Sequence, residues 1–245
     1  MKIIAQINTL NSAEYLWYVL KSIYEHVDRI VIIDGAFSPK IKPSQSDDDT
    51  LNIVKNYEDY AKKIIFVQNK GFSQTEQRNI IFKYTEGFDW LFLVDDDEVY
   101  KDIDLLRMRK FLENETTSFQ ITGYNFVNDF YHYYETQNMR LWPIYDGMYY
   151  AGPNTIKHKN EKICKLLTNK TTVPGIIRYH YSYVRSIERV RLKIRQVESY
   201  QNIKKFPWQV NGEFVKRDNI TFKKFDGNHP ILMHDHPYKD IKWVN

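Results

Sequence analysis

Four short apolar runs separated by amphipathic stretches constrain this chain more than any other feature. Ile3 to Ile7, Arg29 to Asp34, Lys63 to Gln68 and Trp90 to Val94 read as strands. Between the first two, Leu16, Val19, Leu20, Ile23 and Val27 recur at helical spacing, with N-cap chemistry at Asn11 and Ser12. Leu51, Val54, Tyr57 and Ala61 mark a shorter helix. Ser73 and Glu76 have capping-box spacing ahead of another that reaches about Glu86. Ile103, Leu106 and Phe111 are the inward positions expected of a helix over 103–112. Strands alternating with helices predict an α/β fold, a parallel sheet with right-handed crossovers and helices on both faces. In such a sheet the ligand site lies outside the carboxyl ends of the strands. Four loops then converge on one pocket: Asn8–Thr9, Asp34, Gln68–Asn69–Gly71 and Asp95–Asp97.

The fourth strand carries the chemistry. Leu91 to Val94 has no polar alternation, as expected of a strand buried on both faces, and it runs into Asp95, Asp96, Asp97 and Glu98. Unpaired carboxylates cannot stay in that core, so they belong where the strand emerges. Such a cluster of hard oxygen ligands suits Mg²⁺ or Mn²⁺ and, through the ion, a phosphate. Strand alternation predicts that Asp95 and Asp97 share a direction and Asp96 faces the other way. Asp47, Asp48 and Asp49 read instead as a solvated loop before a helix start. Two chemistries fit Asp95-Asp96-Asp97. As D-x-D it suits metal-bridged binding of a nucleotide diphosphate. As D-x-D-x-V, ending at Val99, it resembles the first motif of haloacid-dehalogenase-type phosphatases, with Asp95 as nucleophile. That fold normally carries the motif on its first strand, whereas three strands precede it here.

The second half is less regular. Residues 1–115 hold 15 Lys and Arg against 20 Asp and Glu, and residues 116–245 hold 20 against 11. Two jobs are expected of the two halves, an α/β half over 1–115 and a half over 116–245 with a basic helix and a His-rich tail. The basic half would meet an anionic partner or present a solvated surface. Phe119 to Phe126 and Arg178 to Tyr183 read as strands, and Arg185 to Lys205 as the longest helix, with its basic residues mainly off the apolar face. The single Cys164 excludes an internal disulfide and a cysteine-based zinc site. No apolar stretch reaches the roughly 20 residues of a membrane span. The chain reads as soluble and cytoplasmic, in a bacterial or phage-infected cell.

The order INTLN (7–11), VIIDG (31–35), QNKGFSQTEQRN (68–79) and FLVDDDE (92–98) resembles the nucleotide-binding half of GT-A glycosyltransferases of the family-2 type. The resemblance covers about residues 1–115. It implies a Rossmann-like sheet and a nucleotide-diphosphate sugar as donor, a UDP-sugar first among them. It places Asn8, Thr9, Asn11, Asp34, Gly71, Arg78 and Asp95 around the nucleotide. Asp95, Asp97 and His180 would hold Mn²⁺ or Mg²⁺, with His229, His234 and His236 as a second source of the imidazole. The second-strand motif departs from the family pattern, because Asp34-Gly35-Ala36-Phe37 has one Asp and a bulky Phe. Asn154-Thr155 stands where the family has His-Glu. Asp146 is the candidate general base, with Asp129 and Glu135 as rivals. The acceptor implied is a glycan hydroxyl, or a modified base in DNA given the basic, Tyr-rich second half. A nucleotide- or nucleic-acid-binding module without turnover is the non-enzymatic alternative.

Overall fold

The computed structural model describes residues 1–69, 73–201, 208–211, 214–217 and 220–241. In chain order the first half holds β1 (Ile3–Thr9), α1 (Leu16–Ile23), β2 (Arg29–Asp34), α2 (Thr50–Asn56), β3 (Ile64–Gln68), α3 (Gln74–Asn79), β4 (Trp90–Asp95), β5 (Glu98–Val99) and α4 (Asp102–Leu112). The second holds β6 (Phe119–Val127), β7 (His132–Pro143), β8 (Tyr149–Gly152), β9 (Thr155–Lys157), α5 (Glu161–Leu167), β10 (Thr171–Tyr183), α6 (Ile187–Gln201), β11 (Trp208–Asn211), β12 (Phe214–Arg217) and β13 (Lys223–Lys224). One sheet runs through both halves in the order β3-β2-β1-β4-β7-β6-β10-β5, with β13 against β7. The four strands read from the apolar runs are mutually parallel, and β7 joins β4 antiparallel.

Both faces of this sheet are covered, as the continuous apolar runs require. On one, Ile3, Ala5 and Ile7 of β1 and Phe92 and Val94 of β4 pack with Leu16, Val19 and Leu20 of α1 and Leu105, Met108 and Leu112 of α4. On the other, Ile4, Val31, Leu91 and Leu93 pack with Ile81, Trp142, Tyr150 and Leu167. α4 sits in a different register from the one expected. Ile103 and Leu106 are half exposed, and Leu105, Met108 and Leu112 point inward, with Phe111 partly buried. Alternative apolar positions one residue apart are a natural ambiguity in a short helix with six of them. α3 is shorter than its capping box announces. Ser73 and Glu76 cap reciprocally, but regular helix ends at Asn79 and a tighter turn carries on to Lys83. Among the described residues no helix is long and apolar enough to cross a membrane.

Two register choices position the site. β4 ends at Asp95, beside Asn8 at the end of β1. The chain then turns over Asp96 and Asp97 into β5, which pairs antiparallel with β10 so that His180 faces Glu98. The acidic stretch of the first half is thereby clamped against the last long strand of the second.

Candidate active site

A cavity of about 360 Å³ opens at the carboxyl ends of β1 and β4. Its walls come from both halves: Asn8, Arg78, Asp95 and Asp96 on one side, Asn125, Asn138, Arg140, Arg178 and His180 on the other, with α6 closing over the top. Because Asp96 and Asp97 lie in a turn and not in the strand, alternation does not carry past Asp95. Asp95 and Asp96 both line the cavity, and Asp97 is fully buried beneath it.

Each carboxylate has a separate set of partners. Asp95 Oδ2 accepts from Arg140 Nη2 at 2.7 Å, and Arg78 Nη2 stands 3.7 Å from Oδ1. Asp96 Oδ2 accepts from Thr9 Oγ1 at 2.8 Å. Burial and the charge of Asp97 raise the Asp96 pKa, against the pull of Arg185 and Lys193. Asp97 Oδ2 accepts from Arg185 Nη2 and Lys193 Nζ, both at 2.9 Å. Burial pushes the Asp97 pKa up, but Lys193, His180 and Arg185 outweigh it and hold the carboxyl well below its ordinary range. Glu98, also fully buried, accepts from Arg140, from Arg178, from the Tyr100 hydroxyl and from the Asp95 amide. Burial again pushes upward, and Arg140 and Arg178 reverse it. Arg178 reaches Glu98 across Gly123, where an added Cβ would lie 2.2 Å from its Nη2.

His180 bears on metal binding. The Asn125 amide donates to Gly123 O, Tyr134 O and Thr136 Oγ1, which turns its oxygen toward His180 Nδ1 at 2.8 Å. That oxygen can only accept, so in the neutral ring Nδ1 carries the proton and Nε2 keeps its lone pair. Nε2 lies 2.8 Å from Asp97 Oδ1, a buried oxygen that takes no other hydrogen bond among the described residues, and 2.6 Å from the Ser182 hydroxyl, which can donate to it. With the ring protonated this contact is an ion pair; with the ring neutral, two acceptors at this separation match adjacent ligands of one small divalent cation, which at metal–ligand distances of about 2.1 Å stand about 3 Å apart. Asp97 and His180 therefore fit the ion. Asp95, Glu98 and His180 also present ligand atoms within 4.8 Å of one another, but the oxygens of Glu98 are already engaged by two guanidinium groups. Of the other histidines, half-buried His229 bonds Tyr181 and Phe130 O, and buried His236 bonds Glu14 O, so both act as packing groups.

The remaining candidates divide by position. Asn8 lines the cavity, and its Oδ1 is buried without a hydrogen bond. Arg78 lines it and donates to Asn154 Oδ1 at 2.5 Å. Thr9, Asn11 and Asp34 form a layer below. Asn11 exchanges hydrogen bonds with Asp47, and Asp34, fully buried, accepts from the amide and hydroxyl of Ser46. Burial raises the Asp34 pKa, and the Ser46 and Gln68 hydrogen bonds offset part of the rise. Gly71 lies outside the described residues. Asp146 stands in the exposed turn after β7, outside the cavity, where its carbonyl accepts from His158. Asp129 is buried in the β6–β7 turn and holds the amides of Tyr131 and His132, while Glu135 is exposed and pairs with Lys223. The residues that sequence reasoning missed are Arg140, Arg178, Arg185 and Lys193. Their only signal was an acidic stretch that needed cations and a basic half that had them in excess.

Comparison with known proteins agrees with this geometry. The family model described as glycosyl transferase family 2 matches residues 6–186. Among solved structures, TarS of S. aureus aligns with a TM-score of 0.51 at 17% identity, over 83% of this chain and 40% of that one. The mannosyltransferase PcManGT of Pyrobaculum calidifontis, solved with GDP-Man and Mn²⁺, aligns with a TM-score of 0.51 at 13% identity, over 81% of this chain and 62% of that one. At these identities the likeness concerns the fold, a GT-A sheet. The chain spans less than two thirds of the length of each. No curated protein matches the sequence.

Proposed function

The chain belongs to glycosyl transferase family 2, and from that premise we propose that it moves a sugar from a nucleotide-diphosphate sugar to an acceptor hydroxyl. The observation that carries this reading is the Asp97–His180 pair beneath a cationic cavity at the carboxyl ends of β1 and β4. The donor nucleoside would lie toward Asn8 and the layer of Thr9, Asn11 and Asp34, with Arg78 and Asp95 beside the sugar diphosphate. A UDP-sugar is the first donor to test, and the related fold solved with GDP-Man makes GDP-sugars the second.

Asp97 and His180, with Asp95 close by, would hold Mn²⁺ or Mg²⁺, and a bound divalent ion supplies Lewis-acid neutralisation of the leaving diphosphate. The chain's own groups do the rest. Arg140 and Arg178 fix Glu98 and through it the turn that carries Asp97. Asn125 fixes the tautomer of His180. A carboxylate takes the acceptor proton. The cavity offers Asp95 and Asp96 for this, and Asp146 serves only if the acceptor reaches the β7–β8 turn. In-line attack by the acceptor oxygen inverts the anomeric carbon.

A thermal-shift panel of UDP-, GDP-, TDP- and CMP-sugars, with and without Mn²⁺, tests the reading. Metal-dependent stabilisation by one nucleotide class is expected, and a flat response across the panel removes the proposal. A glycan acceptor and a DNA acceptor are separated by salt, since DNA binding weakens steeply with ionic strength and neutral glycan binding does not.

A further inference from the structure

The basic helix expected as a solvated face is turned inward. Arg185 just before α6, and Arg189 and Lys193 within it, follow one another at intervals of four residues and all line the cavity. Arg185 and Lys193 pair with Asp97. Arg189 has no such carboxylate partner. Its Nη2 donates to Leu10 O at 2.8 Å, and its Nε and Nη1 are buried without an acceptor among the described residues. A guanidinium has five N–H donors, and leaving several of them without acceptors away from water is unfavourable. Burial and the charge of neighbouring Arg185 lower the Arg189 pKa, against the pull of Asp96, Asp48 and Glu14. The open donors on Nε and Nη1 are placed to take an anion that enters the cavity.

Its place along the cavity says which anion. α6 is docked on the loops after β1 and β2: Leu192 packs with Leu10, Ala36 and Ile41, and Ser199 meets Ser38 at 2.8 Å. Arg189 therefore stands between the loops expected to hold the nucleoside and the Asp96–Asp97 turn. A nucleotide with its base at those loops and its sugar phosphate over the turn has to pass beneath Arg189. We propose that Arg189 is a contact for the diphosphate of the donor, so that the chain's own cation supplies part of diphosphate binding independently of any divalent ion. The inference rests on the glycosyltransferase reading and adds to it a recognition residue on α6. Planar bidentate pairing is the reason for Arg at this position, because its fork matches two phosphate oxygens.

The test is isothermal titration of UDP, GDP, TDP and the nucleosides uridine, guanosine and thymidine, each with Mn²⁺ and with EDTA, into the wild-type chain, Arg189→Ala and Arg189→Lys. For the diphosphate that binds, Arg189→Ala is expected to weaken binding on the order of ten-fold in both buffers. Binding of the matching nucleoside should stay unchanged, and Arg189→Lys should recover part of the loss. Thermal unfolding of the variants checks that α6 remains docked. Equal diphosphate affinity in wild type and Arg189→Ala overturns the inference and leaves the parent reading standing. An equal loss for nucleoside and diphosphate overturns it too, since Arg189 would then act by holding the helix in place. Wild-type protein that binds none of the three diphosphates in either buffer overturns the parent reading, and the inference with it.

Discussion

Glu98→Gln is the substitution that most directly probes how this site is built. The carboxylate is fully buried and receives hydrogen bonds from two guanidinium groups, Arg140 at 2.6 Å and Arg178, together with the Tyr100 hydroxyl and the Asp95 amide. Glutamine keeps the volume, removes the charge and turns an NH₂ toward a guanidinium. Arg140 retains Asp95 at 2.7 Å, and Arg178 retains acceptors without a formal charge, foremost Thr136 and Asn138 at 3.0 Å. Removing one partner of a buried pair costs about 3–5 kcal/mol, and the surviving contacts place this case near 3 kcal/mol. For a chain of this size that lowers the midpoint of thermal unfolding by roughly 6–12 °C. Urea unfolding at pH 7 in low and high salt is the assay. The loss should be nearly independent of salt, because buried pairs are little screened. The pH dependence has a defined sign. The folded pKa of Glu98 is lowered, so its contribution is present above the unfolded carboxyl pKa of about 4.3 and is lost as pH falls through the folded value. The gap between wild type and Glu98→Gln should be constant above about pH 5 and shrink below about pH 4. A loss under about 1 kcal/mol that disappears in high salt, as for an exposed pair, would refute the reasoning.

Other substitutions separate the roles of neighbouring residues. Asp97→Asn should abolish the Mn²⁺-dependent part of nucleotide-sugar stabilisation in a thermal-shift assay, while Asp96→Asn should do less. The raised pKa of Asp96 means that its ionised form opposes folding, so Asp96→Asn should be neutral or mildly stabilising near pH 7, with the gain fading as acid protonates the wild-type group. Gly123→Ala drives a methyl into Arg178 and should cost about 1–3 kcal/mol in urea unfolding, although glycine in a strand is normally a weak choice. Asp129→Ala removes the acceptor for the Tyr131 and His132 amides in the β6–β7 turn and should destabilise by about 1–3 kcal/mol without changing the affinity for nucleotide.

The legible parts of the fold were those that local pattern controls. Apolar runs without alternation located β1 to β4, and their parallel pairing followed from the helices between them. The convergence of Asn8 and Asp95 followed from topology alone. The closeness of His180 to Asp97 was reached through the family resemblance and is met at 2.8 Å. Contacts set by long-range register were not legible. Nothing local announces that a two-residue strand, Glu98–Val99, pairs with β10, yet this pairing brings Arg178 and His180 to the acidic turn. The roles of Asp95 to Asp97 also shifted for a local reason. The strand ends at Asp95, so the alternation expected of Asp96 and Asp97 gives way to a turn.

The charge asymmetry of the sequence acquires a different meaning from this geometry. The acidic first half and the basic second half leave two readings of the latter, an anionic partner or a solvated surface. Much of the difference is instead met inside the molecule. Asp95 takes Arg140 besides Arg78 of its own half, Asp97 takes Arg185 and Lys193, and Glu98 takes Arg140 and Arg178; apart from Arg78, these cations come from beyond residue 138. Buried pairs of this kind gain little net stability over apolar packing, because desolvation offsets their attraction. Their consequence is positional. A carboxylate at a strand end can point several ways at little cost, whereas one gripped by two or three oriented donors cannot. The halves thus hold each other's ligating groups in place, and disturbing the second half should impair nucleotide binding at residues of the first. An Arg178→Met chain should show this, since Met keeps bulk and loses the donor that fixes Glu98. With Glu98→Gln added, the two losses should be non-additive in urea unfolding by about 1–3 kcal/mol. Simple additivity of the two would mean that the pair does not act as a unit and that the acidic turn is held by its own backbone.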